Sequence, residues 1–501
     1  MNEELRALAN APDDAEVRLL RRSIDARSRQ IKVNINAEVY SGEQAPPLSP
    51  FTETTWPDVS TKPKAVIIGA GPAGLFAALR LIELGMKPIV LERGKKVRNR
   101  RRDIAAINKD EIVNPDSNYC FGEGGAGTYS DGKLYTRSNK RGDIRRILEI
   151  MVAHGAHPDI LADAHPHIGT NKLPPLITAL RETIERAGGE VHFDCKVTDF
   201  VISENRLRGA VTADGREFTG RGVILATGHS ARDIFDLLHS KGILLEAKPF
   251  AMGLRAEHPQ SLIDQSQYHM EDRGPWLPAA SYALAEQVSF RGLEKGVFSF
   301  CMCPGGFMVP AATTAGEVVV NGMSPSRRDS KFANSGIVVS VDEEDWKAYK
   351  ELGPMAGLEL QKQLERAACN IAGNSQHAPA QRLADFVEGK LSDTLPETSY
   401  QPGLKSVEMQ QVLPPFIHRR LQTAFRRFGE KIRGYYTNEA VLVGVESRTS
   451  SPIRIPREKE TLQHPHLKGF FPCGEGAGYA GGIMSAAVDG ERCAEALFNQ
   501  A

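Results

Sequence analysis

Two glycine loops, Gly69-Ala70-Gly71-Pro72-Ala73-Gly74 near the start of the chain and Gly474-Glu475-Gly476-Ala477-Gly478 near its end, the second followed by Gly481-Gly482, are of the kind that admits a phosphate to the backbone. In the first, Gly69 allows a tight turn, Gly71 removes the side chain that would block a diphosphate, and Gly74 lets the next helix pack closely. Phosphate oxygens then meet free N–H groups at the positive end of the helix dipole. Two such loops at opposite ends of the chain imply one extended dinucleotide, its diphosphate at the first loop and its far end at the second. That arrangement suits FAD better than NAD.

The elements that must position the first loop can be read on either side of it. Ala65-Val66-Ile67-Ile68 reads as a buried parallel strand, and a helix follows from Leu75 to Leu84, where Gly85 ends it. A second apolar strand, Pro88-Ile89-Val90-Leu91, ends in Glu92, about 20 residues beyond the loop. There its carboxylate would accept hydrogen bonds from the adenosine ribose. A 2′-phosphate would meet a like charge, which disfavours NADP in this site.

Composition narrows the function classes. The 501 residues suffice for about three domains. The 62 basic and 62 acidic residues cancel, so no overall field draws the chain to nucleic acid or to a membrane. The start, Met1-Asn2-Glu3-Glu4-Leu5-Arg6, lacks the apolar core of a signal peptide, and no run of about 18 apolar residues forms a membrane span. The seven scattered cysteines suit reduced thiols, and the expected location is cytoplasmic.

Along the chain, Asp13-Asp14 reads as the cap of a helix carrying Val17, Leu20 and Ile24, and Ile31 to Asn36 alternates like a strand. Ser41 to Lys64, rich in Pro, Ser and Thr, reads as a linker. A helix over Pro174 to Ala187 leads through Gly188-Gly189 into an alternating segment, Val191 to Val201. Asp214-Gly215 marks a hairpin before the strand Val223-Ile224-Leu225. From about Phe250 to Phe428, mixed strands and amphipathic helices indicate an inserted cap or substrate domain.

That last strand ends in Ala226-Thr227-Gly228, the tripeptide that in two-loop flavoproteins brings the chain back past the dinucleotide. With Val66 to Gly74, Cys120 to Thr128, His229-Ser230-Ala231-Arg232-Asp233, Cys301-Met302-Cys303-Pro304-Gly305-Gly306 and Pro472 to Gly490, it carries a resemblance that runs from Lys64 to the C-terminus. The chain resembles the glutathione reductase and p-hydroxybenzoate hydroxylase flavoprotein superfamily. More narrowly, it resembles a bacterial group of FAD-dependent, NAD/FAD-utilising dehydrogenases.

The resemblance implies roles. Gly474-Glu475 stands where many relatives carry Gly-Asp, so Glu475 takes the ribityl chain with one extra methylene. Gly481-Gly482-Ile483-Met484 opens a helix whose N-terminus would face the flavin pyrimidine ring and favour negative charge on the reduced flavin. Similar glycine loops wrap the diphosphate and ribityl region, which places Gly125, Ala126, Gly127 and Thr128 there, with Lys133 as a further candidate. In the basic run Arg93 to Arg102, one or two cations, Arg93 first, are assigned to the adenosine phosphates and the rest to a solvated face.

Catalytic candidates are His229, just beyond Ala226-Thr227-Gly228, and Cys301 and Cys303. In an extended chain, alternate side chains lie near the upper distance limit for a disulfide, so packing or substrate lining is the favoured reading of this pair and redox chemistry the alternative. Cys120 and Cys473 each adjoin a glycine loop. His154, His157, His165 and His167 lack accompanying ligands at metal spacing, so no metal is expected.

The resulting expectation is an α/β protein: a discontinuous Rossmann-like two-loop FAD-binding domain over residues 64–249 plus 436–501, an inserted α+β cap over 250–435, and a small N-terminal α/β extension with linker over 1–63. The function read from it is an FAD-dependent oxidoreductase of dehydrogenase or reductase type. It would pass hydride between flavin N5 and a small-molecule substrate, with NAD(P)H as a transient co-substrate against the cap because no second nucleotide loop is present. Two alternatives stand beside it, a flavin monooxygenase and an RNA-directed or non-catalytic flavoprotein. The sequence leaves the oligomeric state open.

Overall fold

The computed structural model describes residues 1–28, 30–52, 54–135 and 142–500. A five-stranded parallel sheet carries both glycine loops, in the order Phe470–Pro472, Val223–Leu225, Lys64–Ile68, Lys87–Leu91, Glu190–His192. Its strands are near-continuous apolar runs because helices and a second sheet cover both faces, and Ala65, Val66 and Ile67 are fully buried. On one face the helices Pro72–Glu83, Leu173–Arg186 and Ile483–Asn499 share one core. On the other, the three-stranded sheet of Val197–Ser203, Arg206–Thr212 and Glu217–Thr219 packs with the helix Arg232–Ser240.

The second body is an eight-stranded sheet built on Phe250–Pro259, Leu293–Pro310 and Phe332–Val341, with Val441–Glu446 beside Phe250–Pro259. Val441–Glu446 thus lies in the large sheet although the sequence reading put it on the FAD-binding side of position 435. The helices Ala356–Ile371 and Pro415–Lys431 bury Leu364, Leu421, Phe425 and Phe428 in the core of this sheet.

The leading segment corrects one expectation. Glu16–Asp25 is a strand paired antiparallel with Lys32–Tyr40, and the helix lies earlier, at Asn2–Leu8. A register shift between Leu19 and Arg21 adds a residue to the strand, so Val17, Leu20 and Ile24 fall at a spacing that mimics a helical stripe. Ser41 to Pro63 holds neither helix nor strand among its described residues.

Candidate functional site

The parallel strands Lys64–Ile68 and Val223–Leu225 and the short strand Phe470–Pro472 end together, and the loops leaving them meet at their carboxyl ends, where open α/β sheets bind ligands. Close backbone approach requires glycine at particular points. A side chain on Gly74 would bring Cβ to 1.9 Å from the Gly69 carbonyl oxygen, and one on Gly490 would come to 2.1 Å from that of Ala73, which seats the helix Ile483–Asn499 on Pro72–Glu83. Gly69, at φ +107°, adopts a backbone that side chains resist, and its missing Cβ makes room for Ala226. Gly476 does the same against Gly228.

Between the loops lies a cavity of about 400 Å³, within the range of small-molecule sites. Its walls include Gly69, Gly71, Pro72, Ala73, Glu92, Arg93, Gly125, Ala126, Gly127, Lys133, Ala226, Thr227, Gly228, His229, Cys301, Gly474, Glu475, Gly482 and Ile483. Four expected residues sit behind the wall. Gly74 is the packing glycine, Met484 points into the helix core, and the Thr128 hydroxyl donates to the Glu123 carbonyl at 2.7 Å. Cys303 is fully buried beside Cys301. A larger open depression of about 550 Å³, lined by Lys64, Arg208 and Arg221 among others, includes neither loop in its walls.

The residues fit an FAD. A Cβ on Gly71 would meet nothing closer than Gly125 Cα at 4.0 Å, and Gly481 and Gly482 face open space, so the backbone is bare where phosphate and ring must approach. The buried Nδ1 of His229 has no hydrogen-bond partner among the described residues and belongs to a residue of the cavity wall. Both features point to a polar ligand.

Glu92 has a first duty that the sequence did not disclose. Its Oε2 accepts from Ala70 N, and its Oε1 from Gly94 N and Gly122 N, all at 2.9 Å, so this carboxylate ties three turns together at the cavity edge. Of its roughly four lone-pair sites only the second on Oε2 is left for a ribose. The basic run divides in the same way. Arg93 pairs with Asp233 at 2.8 Å and covers the Phe121 ring, while the fully buried Arg100 donates to the carbonyls of Asn118, Tyr119, Glu123 and Gly125 and so holds the 122–127 loop in place. Arg98, Arg101 and Arg102 are exposed.

The opposite wall is made of side chains. Arg448 reaches Glu365 at 2.9 Å and Glu317 at 3.1 Å, and Arg232 reaches the same two carboxylates at 2.7 and 3.0 Å. Burial and the nearby cations Arg448, Arg232 and Lys248 push His229 down to about 4, so its imidazole is neutral at physiological pH. Its Nε2 stands 3.7 Å from the Glu475 carboxylate, which burial pushes up.

Cys301 adopts φ +47° at a register shift in Leu293–Pro310. This irregularity overturns the extended-chain geometry assumed for the cysteine pair. The Lys133 ammonium donates to the Met302 carbonyl and lies 3.9 Å from the Cys303 sulfur. Lys133 therefore bridges from the glycine loop to the strand Leu293–Pro310.

Arg448, Asn321, Asp131 and Thr449 also line the cavity and were not singled out from sequence. The available signal was local. The apolar strand Val441-Leu442-Val443-Gly444-Val445 runs directly into Glu446 and Arg448, charges that a buried strand end must pair. Cys473, Asp489 and Cys493 also cluster, with ligand atoms within 4.8 Å of one another. Arg457 donates to both Asp489 and Cys493, so a cation there would meet a like charge.

Comparisons with known proteins agree on the class. A family described as "FAD binding domain" matches residues 64–102, "FAD dependent oxidoreductase" matches 166–275, and "FAD-dependent protein, C-terminal domain-like" matches 249–449. A domain of unknown function matches residues 5–40. This is an FAD-binding protein of the FAD-dependent oxidoreductase class.

An uncharacterized protein of Clostridium beijerinckii (strain ATCC 51743 / NCIMB 8052) is 38% identical over 507 residues, 97% of this chain and 93% of its own, and this chain belongs to the same family. Among solved structures, the flavin-dependent brominase Bmp2 is 14% identical at a TM-score of 0.36, covering 88% of this chain and 79% of its own. A geranylgeranyl bacteriochlorophyll reductase-like protein of Thermoplasma acidophilum is 12% identical at a TM-score of 0.35, covering 87% and 78%. No described helix is long and apolar enough to cross a membrane.

Proposed function

We propose that the chain is an oxidoreductase of dehydrogenase or reductase type that holds one FAD across the two glycine loops and works on a small molecule under a cap spanning 250–435, extended through Val441–Glu446. The observation that supports this most directly is one cavity walled on one side by both loops and on the other by Cys301 and Asn321 of the large sheet and Arg448 just beyond its strand Val441–Glu446. Bound FAD would supply two-electron chemistry at flavin N5, exchanging hydride with the substrate.

The chain's own residues supply the rest. Gly71, with open space beside the 125–127 turn, would let the diphosphate reach the backbone at the start of Pro72–Glu83. Glu475, Gly482 and Ile483 face the ribityl chain and ring, and the positive end of Ile483–Asn499 favours negative charge beside it. His229, neutral and short of one hydrogen-bond partner, accepts or donates at the ring or substrate through Nδ1. The cap excludes water. With no second G-x-G-x-x-G loop set in a βαβ unit of the sequence, NAD(P)H would dock transiently on the cap side.

Anaerobic mixing of the FAD-loaded protein with NADH and NADPH separately, followed by reoxidation with a metabolite panel, tests the reading. Bleaching by one nicotinamide and recovery with a metabolite is expected. A flavin that neither donor bleaches counts against a nicotinamide-linked enzyme, and rapid formation of an oxygen adduct in air supports a monooxygenase instead.

A further inference from the structure

We propose that Cys301 and Cys303 form a thiol–disulfide exchange centre in the cap wall of the cavity, with Cys301 as the attacking sulfur, Cys303 as the resolving sulfur and small-molecule disulfides as the substrate class. The two thiols differ in what an exchange pair needs to differ in. Cys301 is partly exposed and lines the cavity, whereas Cys303 is fully buried and its thiol faces Cys301, donating to the Cys301 carbonyl at 3.2 Å. Only Cys301 can meet a substrate, and Cys303 need reach only Cys301.

The backbone and the charges favour the same assignment. Cys301 sits in the left-handed region, a conformation that a non-glycine residue keeps only where its surroundings impose it. Arg255 imposes it by donating to the Cys301 carbonyl at 3.3 and 3.4 Å, and is itself held by Glu446 at 2.8 Å. Lys133 approaches from the glycine loop, 3.5 Å from Asp131, which Arg328 also pairs at 2.7 Å. The hydrogen bond from Cys303 and the positive charges of Lys133 and Arg255 hold the Cys301 thiol below its ordinary range, against burial and the carboxylate of Asp131, and Cys303 moves the opposite way. Glu446 and Glu475, the other carboxylates that feel the Cys301 charge, are both pushed toward their neutral forms by burial. A thiolate beside cations is the nucleophilic state of cysteine.

The step balances. The Cys301 thiolate attacks one sulfur of the substrate disulfide, forming a mixed disulfide and releasing one thiolate. Cys303 loses its proton and attacks the Cys301 sulfur, the Cys301–Cys303 bond forms, and the second half of the substrate leaves as a thiol carrying that proton. Two electrons have passed from the pair to the substrate. Restoring the pair takes two electrons and one proton, the amount a reduced flavin yields on oxidation, and for this return step the inference rests on the oxidoreductase reading above.

The test treats the full-length, FAD-loaded protein with bis(hydroxyethyl) disulfide, alkylates the remaining thiols and maps tryptic peptides. Both cysteines fall in one peptide, 296–327, apart from Cys473 and Cys493. The expected wild-type product is that peptide unalkylated and lighter by the two hydrogens lost. Cys303→Ser should keep the hydroxyethylthio group on Cys301, and Cys301→Ser should react at least about tenfold more slowly. Alkylation of Cys301 should persist as the pH falls toward about 5 and retreat to higher pH in Lys133→Met. A wild-type peptide that stays fully alkylatable overturns the inference without any variant, as does equal labelling of both sulfurs. Flavin absorbance of the same preparation separates the two readings: bound flavin with an inert pair defeats this inference alone, and a reactive pair in protein that takes up no flavin defeats the oxidoreductase reading and the return step, leaving the exchange centre.

Discussion

The two walls of the cavity are built from different material. The loop wall is backbone: side-chain-free surface at Gly71, Gly481 and Gly482, turns clamped by Glu92 and Arg100, and glycine where two segments touch. The cap wall is side chain: Cys301, Arg448 and their partners, each held by residues distant in sequence. A backbone wall fits what all dinucleotides share, and on the function proposed above the side-chain wall is the one that selects the second molecule. Binding of the cofactor and choice of substrate are thus separable by mutation.

The largest expected effect breaks the cap side. Arg448→Met leaves Glu317 and Glu365 sharing Arg232 alone in a buried site and should cost about 3–5 kcal/mol in urea unfolding; a loss near zero would mean the network is solvated and the wall soft. Next is Gly74→Ala, whose Cβ would lie 1.9 Å from the Gly69 carbonyl; forced repacking of this order costs about 1–3 kcal/mol and should lower stability and FAD retention together. Gly71→Ala sharpens the contrast, because its Cβ has open space. Stability should stay within about 0.5 kcal/mol while the FAD Kd rises at least about tenfold, or about 1.4 kcal/mol.

The smallest effect concerns pH. Burial lowers His258 from 6.5 to about 4, so the unfolded chain binds its proton first and stability is lost as pH falls from 6.5 toward 4. Glu446, raised from 4.5 to about 7, opposes this loss over much of the same window, because its neutral folded form is favoured as pH falls. His258→Gln should therefore remove about 1 kcal/mol of the decline by about pH 5.5, read from urea midpoints against pH.

The same contrast explains what the sequence disclosed. Gly69, Gly71 and Gly74 have conformational and steric duties tied to a strand, a helix and an acid within about 20 residues, so the loop wall could be read locally. Arg448 and Lys133 acquire their roles only when strands far apart in sequence pair, and nothing local announces that Lys133 will reach the Met302 carbonyl. The extended geometry expected of Cys301 and Cys303 fails for a related reason. Strand alternation assumes a regular ladder, and the register shift at Cys301 breaks it. The leading hairpin was misread through the same kind of irregularity at Leu19.

The central claim is that one FAD spans both glycine loops. Equilibrium dialysis of FAD against the wild-type chain, Gly71→Ala and Gly481→Ala, two positions where a Cβ has open space, measures it most directly. The account gives one FAD per chain, with each substitution weakening that same binding event. It is contradicted if the wild-type chain takes up no FAD, or if only one of the two loops matters to the affinity.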